Sequence, residues 1–262
     1  MDNKKTDMKY VVLLVSIVML GSCFGNLSQT ALNSMFAGMA QDFGVDAGVG
    51  QWVTTLYMLV LGITVPAVTY LMRRFVLKNV IIASLVLLVL GGVVDALAWN
   101  FGLLIVGRVL QAISAGITMP MMMSLIMTSV PPERQATAMG ISGIAMGFAP
   151  NIGPTIGGWM LETTGWRSFF VVLAFCSLLL TLVAIVVIKK TPPEDSQMRL
   201  DGISLLQSAL GFGGLLLGFS NASSYEFTSP FIWAPVIVGA IFLIFFIRRQ
   251  RRIEYPLIHL EI

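Results

Sequence analysis

Eight apolar stretches recur along the chain, each near the length of about 20 helical residues that crosses a hydrocarbon layer. They run over Tyr10–Asn33, Gln51–Met72, Asn79–Trp99, Phe101–Ser124, Ala138–Leu161, Ser168–Ile188, Gly202–Ser220 and Phe231–Ile247, with short polar connections between them. A membrane barrel would need period-two alternation, which these runs lack. A soluble fold would have to pack eight helices, apolar nearly all round, into one core. The pattern predicts an all-α polytopic membrane protein.

Composition sharpens this reading. Of 262 residues, 56% are hydrophobic and 11% charged, and most of the charge falls between the stretches. Lys4, Lys5 and Lys9 precede the first run; Arg73, Arg74 and Lys78 follow the second. Arg134 follows the fourth, Lys189, Lys190 and Arg199 the sixth, and Arg248, Arg249, Arg251 and Arg252 the eighth. The alternate connections carry Asp42, Asp46, Asn100 and Glu226, with Arg167 as the exception. Positive loops stay inside, so both termini are expected in the cytoplasm, in agreement with an even number of spans. The basic pI comes from these loops and calls for no nucleic-acid partner.

The N-terminus resembles a secretory signal, with lysines, an apolar run and Leu20-Gly21-Ser22-Cys23. The apolar run continues past Cys23, which favours an uncleaved span. Cys23 and Cys176 both fall inside spans, so neither a disulfide framework nor a metal site is expected, and no cofactor is called for.

The longest polar linker, residues 189–201, contains Pro192 and Pro193 and separates spans one to six from a pair. The expected organisation is a six-helix bundle over 1–188, a cytoplasmic linker over 189–201, a helix pair over 202–247 and a basic tail over 248–262.

Three spans carry chemistry. In the fourth, Arg108 lies inside the apolar run, where a central Arg costs roughly 2.5–3.5 kcal/mol on insertion scales. Gln111, Ser114 and Thr118 continue the same broad face. Asp95 in the third span is near-equidistant from the turn at Asn100, so an antiparallel hairpin brings it to the depth of Arg108 as an ion-pair partner. Intramembrane charges are functional by default, and a substrate- or proton-coupling role for Arg108 competes with that structural pairing. In the first span Asn26, Thr30 and Asn33 follow a helical face, with Ser28 and Gln29 alongside. Such groups bond to neighbouring helices or line a wet cavity. In the second span Trp52 and Tyr57 are expected as interfacial anchors.

The fifth span, AMGISGIAMGFAPNIGPTIGGWMLE, has small-xxx-small pairs at Gly143–Gly147 and Gly153–Gly157. These permit close helix approach, and Pro150 and Pro154 should bend the segment. Tight packing and a rocking contact are both open readings. Met119, Met121, Met122, Met123 and Met127 suit a permissive binding surface or lipid-boundary filling.

At these residues the chain resembles the drug:proton antiporter branch of the major facilitator superfamily in its fourteen-helix form. Gly153-Pro154-Thr155-Ile156-Gly157-Gly158 is similar to the antiporter signature, and Arg108-Val109-Leu110-Gln111 to the arginine segment linked to proton coupling. Leu27–Asn33, Gln51-Trp52, Gly165-Trp166-Arg167, Leu200-Asp201 and Pro256-Leu257-Ile258 match further segments. The resemblance implies proton-coupled export of lipophilic, often cationic compounds from a bacterial cytoplasmic membrane, similar to permeases that expel lincosamide-like antibiotics. It implies cavity lining by Asn26, Ser28, Thr30, Asn33, Ser114 and Thr118, and proton coupling at Arg108, Gln111 and Asp95. The antiporter motif is carried by Gly153, Pro154, Gly157 and Gly158, and the cytoplasmic gating loop by Arg73 and Arg74.

Three departures accompany it. Ser28 stands where the family often has Asp. The loop between helices two and three reads TYLMRRFV at 69–76, keeping only Arg74 and basic character. The chain stops before helix nine, so the second bundle is expected from elsewhere, in cis or in trans. The competing reading is a membrane scaffold or half-transporter partner without its own transport. An intramembrane enzyme is disfavoured, since the single His259 lies outside the spans and no HExxH pair is present.

Overall fold

Backbone groups in lipid must be satisfied within the chain, which makes helices of the apolar runs. The computed structural model describes residues 8–50, 52–193, 195, 201–221 and 226–253. Lys4, Lys5, Gln51, Arg199, Leu200, Pro256, Leu257, Ile258 and His259 lie outside the described residues, as do parts of the expected linker and tail.

Ten helices are described: α1 (Met8–Phe43), α2 (Ala47–Gly50), α3 (Trp52–Thr64), α4 (Ala67–Arg74), α5 (Leu77–Ala96), α6 (Phe101–Ser129), α7 (Pro132–Thr163), α8 (Trp166–Val187), α9 (Gly202–Asn221) and α10 (Pro230–Gln250). Asn100 starts α6 by accepting the Leu103 N–H on its side-chain oxygen at 2.8 Å. Gly165, at φ 84°, makes the tight turn from α7 to α8.

Eight spans were expected. Among the described residues six helices are long and apolar enough to cross a membrane, or up to seven if α3 and α4 make one broken span. The second run divides because Pro66 has no N–H to continue the ladder; the chain bends by 50° there. At 32 residues α7 is long enough, but its glycines, prolines and Asn151 dilute its apolar character. The helix runs through Pro150 and Pro154 without a break in assignment.

In the packing, α5 lies against both α6 and α8, and α1 lies against α6, α7 and α8. One apolar cluster, including Val18, Ile81, Leu85, Met121 and Ile126, sits toward the end that carries the basic loops. There Lys78 donates to the Ile185 carbonyl at 2.6 Å and the Lys189 N–H to the Tyr10 hydroxyl at 3.2 Å. A second cluster, with Leu32, Met35, Leu104 and Phe170, fills the opposite end.

At that opposite end the exceptional Arg167 is explained. It donates to Asp42 at 3.0 Å and to the Ala98 carbonyl at 3.1 Å, and stacks 4.2 Å from the Trp166 ring centre. Trp166 donates to the same carboxylate at 2.8 Å.

The pair α9–α10 packs mainly on itself and reaches the bundle through α3, where Thr55 and Ser220 hydroxyls meet at 3.1 Å. Asp201, just before α9, accepts two bonds from the Arg249 guanidinium at 2.6 and 3.0 Å. Those bonds hold its carboxyl down at about 2, below the ordinary 3.8.

Candidate functional site

Arg108 is 1% exposed, and among the described residues its hydrogen bonds go to Ser28 and Gln111 and not to a carboxylate. Its Nη1 donates to the Ser28 hydroxyl at 2.8 Å and to Gln111 Oε1 at 2.7 Å. Ser28 donates to the same Oε1 at 2.6 Å. The other face of the Gln111 amide donates to Asp95 Oδ2 at 2.8 Å. Tyr57 completes the site from α3: its ring centre lies 4.4 Å from the guanidinium carbon, and its hydroxyl donates to the Gly25 carbonyl at 3.3 Å.

The expected direct ion pair between Asp95 and Arg108 is therefore corrected: among the described residues the two are joined through Gln111. The reason lies in helix geometry. Arg108 and Gln111, three apart on α6, share one face, and the shorter amide fills the space next to α5. Two glycines make that space. A Cβ on Gly91 would stand 2.6 Å from Gln111 Cγ and 2.7 Å from the Gly107 carbonyl oxygen. A Cβ on Gly107 would overlap Asp95 Oδ1. Only bare backbone on both helices admits the carboxylate and the amide together.

The cluster is not fully satisfied. Asp95 Oδ1 and Arg108 Nε and Nη2 are buried without a hydrogen-bond partner, as is the Ser114 hydroxyl. Buried polar groups without partners are rare and costly, so these atoms mark a place where bonds are available to change.

The first-span residues divide between two faces. Ser28 joins the Arg108 cluster, whereas Asn26 donates to the Ser22 carbonyl at 3.0 Å and reaches Met146 sulfur at 3.9 Å. Thr30 bonds back to the Asn26 carbonyl at 3.0 Å, and Asn33 is exposed. Ser114 and Thr118 are buried, with Thr118 bonding back to the Ser114 carbonyl at 3.0 Å.

The glycine motif of α7 faces α1. A Cβ on Gly153 would strike the Thr30 hydroxyl, and one on Gly157 would stand 2.6 Å from the Ala31 carbonyl oxygen. Gly158 meets nothing within 4 Å, and Pro154 is exposed. Arg73 and Arg74 end α4, half-buried, and the Arg73 carbonyl accepts the Asp195 N–H at 3.1 Å. Tyr57 was missed as a site residue; its sequence signal was read as an interfacial anchor, while the structure buries it completely.

Residues 18–250 match the family model described as the Major Facilitator Superfamily. The chain is 37% identical over 251 residues to the uncharacterized MFS-type transporter YcnB of Bacillus subtilis, covering 95% of this chain and 53% of that protein. It is 35% identical over 261 residues to the lincomycin resistance protein LmrB of the same organism, covering 98% and 54%. The chain thus spans about half the length of these curated relatives. Among solved structures, a peptide transporter POT crystallised with sulfate superposes with a TM-score of 0.67 at 14% identity, over 93% of this chain and 53% of that one.

Proposed function

This chain belongs to the Major Facilitator Superfamily, and on that premise we propose that it works in the export of lipophilic small molecules against an inward flow of protons. LmrB is named for lincomycin resistance, which supports a drug-like substrate class. The relatives are about twice as long, so we assign the transport cycle to a whole in which a second bundle, in cis or in trans, faces the helices described above. The basic loops support a multi-pass arrangement in a bacterial cytoplasmic membrane with both termini inside.

The single observation that carries this reading is the buried Arg108 cluster. A charge held inside an apolar span is expensive, and here, among the described residues, it reaches the Asp95 carboxylate through Gln111. In the proposed cycle Asp95 takes the coupling proton. Protonation removes the negative charge that Gln111 Nε2 faces, so the amide is free to turn, and its Oε1 releases Arg108 and Ser28. The guanidinium then bonds elsewhere in the cavity, and the α5–α6 contact shifts with it. Alternating access converts that local change into exposure of the substrate site to the other side.

The test is efflux of Hoechst 33342, read as proton-gradient-driven uptake of the dye into inverted membrane vesicles, whose lumen corresponds to the cell exterior. Wild-type chain, expressed as it is or with a bundle supplied in trans, is expected to move dye only while the gradient stands. Arg108→Ala at equal expression should abolish it, and undiminished efflux by that variant would remove the assignment.

A further inference from the structure

Helix α3 presents two opposite stripes. Tyr57, Leu61 and Thr64, spaced i, i+4 and i+7, face α6. The Tyr57 ring packs there with Ala112 and Ala115, and a Cβ on Gly116 would stand 2.8 Å from Thr64 Cβ and 3.1 Å from the Leu61 carbonyl oxygen. Thr55, Leu59 and Gly62, with the same spacing on the other side, face α9. The Thr55 hydroxyl meets that of Ser220 at 3.1 Å, and a Cβ on Gly213 would stand 2.9 Å from Leu59 Cδ1. We propose that the α9–α10 pair braces α3, and through it holds Tyr57 as the positioning residue of the Arg108 guanidinium. The proposal deepens the export reading by naming what regulates its polar site, and rests on it only for the effect on transport.

The ring matters because of what the guanidinium lacks. Arg108 Nη1 bonds to Ser28 and Gln111, but Nε and Nη2 are buried without hydrogen-bond partners. Over this group stands the Tyr57 ring, 4.4 Å from the guanidinium carbon. An aromatic face attracts a cation within about 6 Å of its centre, and more strongly where water is excluded. The ring takes no hydrogen bond from the charge, so it retains the guanidinium while the bonds to Gln111 and Ser28 exchange. That hold depends on distance: a retreat of α3 by about 2 Å carries the ring beyond effective range. The hydroxyl gives weak anchorage of its own, since its bond to the Gly25 carbonyl is 3.3 Å long. Where α3 lies therefore sets where the ring lies.

Helix α3 does not hold that place alone. It is 13 residues long and ends at the 50° bend before Pro66, so no continuous span carries it. The pair outside it is stiff. A Cβ on Gly214 would stand 2.6 Å from the Pro235 carbonyl oxygen, and one on Gly239 2.7 Å from that of Gly211. The two helices thus touch backbone to backbone, as small residues in a membrane permit. At one end of the pair Asp201 holds Arg249, and Gln250 donates to the Ser204 hydroxyl at 2.7 Å. At the other the Asn221 amide donates to the Phe231 carbonyl at 3.0 Å. A hairpin closed at both ends lies along a half-span whose far face carries Tyr57, and α3 is its main contact with the bundle.

Fluorine NMR on the full chain in lipid nanodiscs, with meta-fluorotyrosine placed at Tyr57, reads the ring beside the cation. Arg108→Gln marks the resonance of the ring without that charge. Gly213→Leu crowds Leu59; α3 has no room toward Gly116, so α9 is displaced and the resonance should move toward the Arg108→Gln position. Adding Leu59→Ala makes room and should bring it back. Gly140→Leu, whose Cβ would meet nothing within 4 Å, controls for added bulk and should leave it in place. Should Gly213→Leu fail to fold, Thr55→Val, which removes the Ser220 hydrogen bond at nearly constant volume, should shift the resonance the same way. A folded Gly213→Leu with the wild-type resonance overturns the brace, as does an unmoved Thr55→Val where Gly213→Leu does not fold. In inverted vesicles Gly213→Leu should lower dye uptake at least about fivefold, with recovery on adding Leu59→Ala. A displaced ring with undiminished uptake overturns Tyr57 as a positioning residue. A displaced and rescued ring in a chain that moves no dye in any form supports the brace and removes the export reading instead.

Discussion

Gly91→Ala tests the close approach of α5 to α6 beside Gln111. The new Cβ would lie 2.6 Å from Gln111 Cγ, 2.7 Å from the Gly107 carbonyl oxygen and 3.1 Å from the Gln111 nitrogen. Carbon atoms prefer about 3.5–4.0 Å, so roughly an ångström of separation is missing. A rotamer change relieves the first contact but not the other two, which are backbone. The helices α5 and α6 must move apart, at an overpacking cost of about 1–3 kcal/mol. Against this, Ala in place of Gly favours any helix interior by about 0.8–1.0 kcal/mol. Gly140→Ala supplies the comparison, since its Cβ would meet nothing within 4 Å. The helical gain cancels between the two variants. Their difference in unfolding free energy should therefore be the steric term alone, about 1–3 kcal/mol, with Gly91→Ala the less stable. Denaturation in mixed micelles, followed by tryptophan fluorescence, measures it. Equal stabilities would refute the claim that bare backbone is required beside Gln111.

Three further outcomes follow from other parts of the fold. The Asp201 carboxyl is held at about 2 against an ordinary 3.8 by Arg249; its stabilisation is complete above 3.8 and is lost as pH falls toward 2, so Asp201→Asn should flatten the acid limb of an unfolding-versus-pH curve. An unchanged curve would show that the pair does not hold the two helices. Arg167→Ala removes bonds to Asp42 and the Ala98 carbonyl, but both charged side chains are nearly half exposed, so the loss should be only about 0.5–1 kcal/mol in the same denaturation assay. With Cys23 and Cys176 replaced by alanine, an impermeant maleimide should label Asp46→Cys in intact cells and Thr128→Cys only after lysis; the reverse pattern would invert the proposed orientation.

Length and hydropathy made most of the helices legible before any coordinates, because a lipid solvent leaves few alternatives to helix. Arg108 was legible for the same reason: a guanidinium in an apolar run has nowhere to go but inward. The depth shared with Asp95 also followed from the hairpin. The bridging amide did not, because helical spacing places Gln111 on the right face without saying how close α5 comes. That closeness depends on Gly91 and Gly107, two glycines among 25, whose partners lie on different helices. Ser28 and Asn26 differ by two positions and so fall on opposite sides of α1, which the polar segment around them concealed. Tyr57 read as an interfacial aromatic because composition cannot distinguish a ring at the headgroups from one beneath a buried arginine. Pro66 lies inside the second apolar run, Gln51–Met72, whose length alone predicts one continuous span and does not register the break.

In the proposed cycle the carboxyl of Asp95, linked through Gln111 to Arg108, takes up and gives back the coupling proton. Substrate-induced proton release from the purified full chain in weakly buffered detergent, read with a pH indicator on adding Hoechst 33342, tests it most directly. Wild-type protein should release protons as dye binds, and Asp95→Asn should bind dye and release none. Proton release by Asp95→Asn equal to that of the wild type would contradict it.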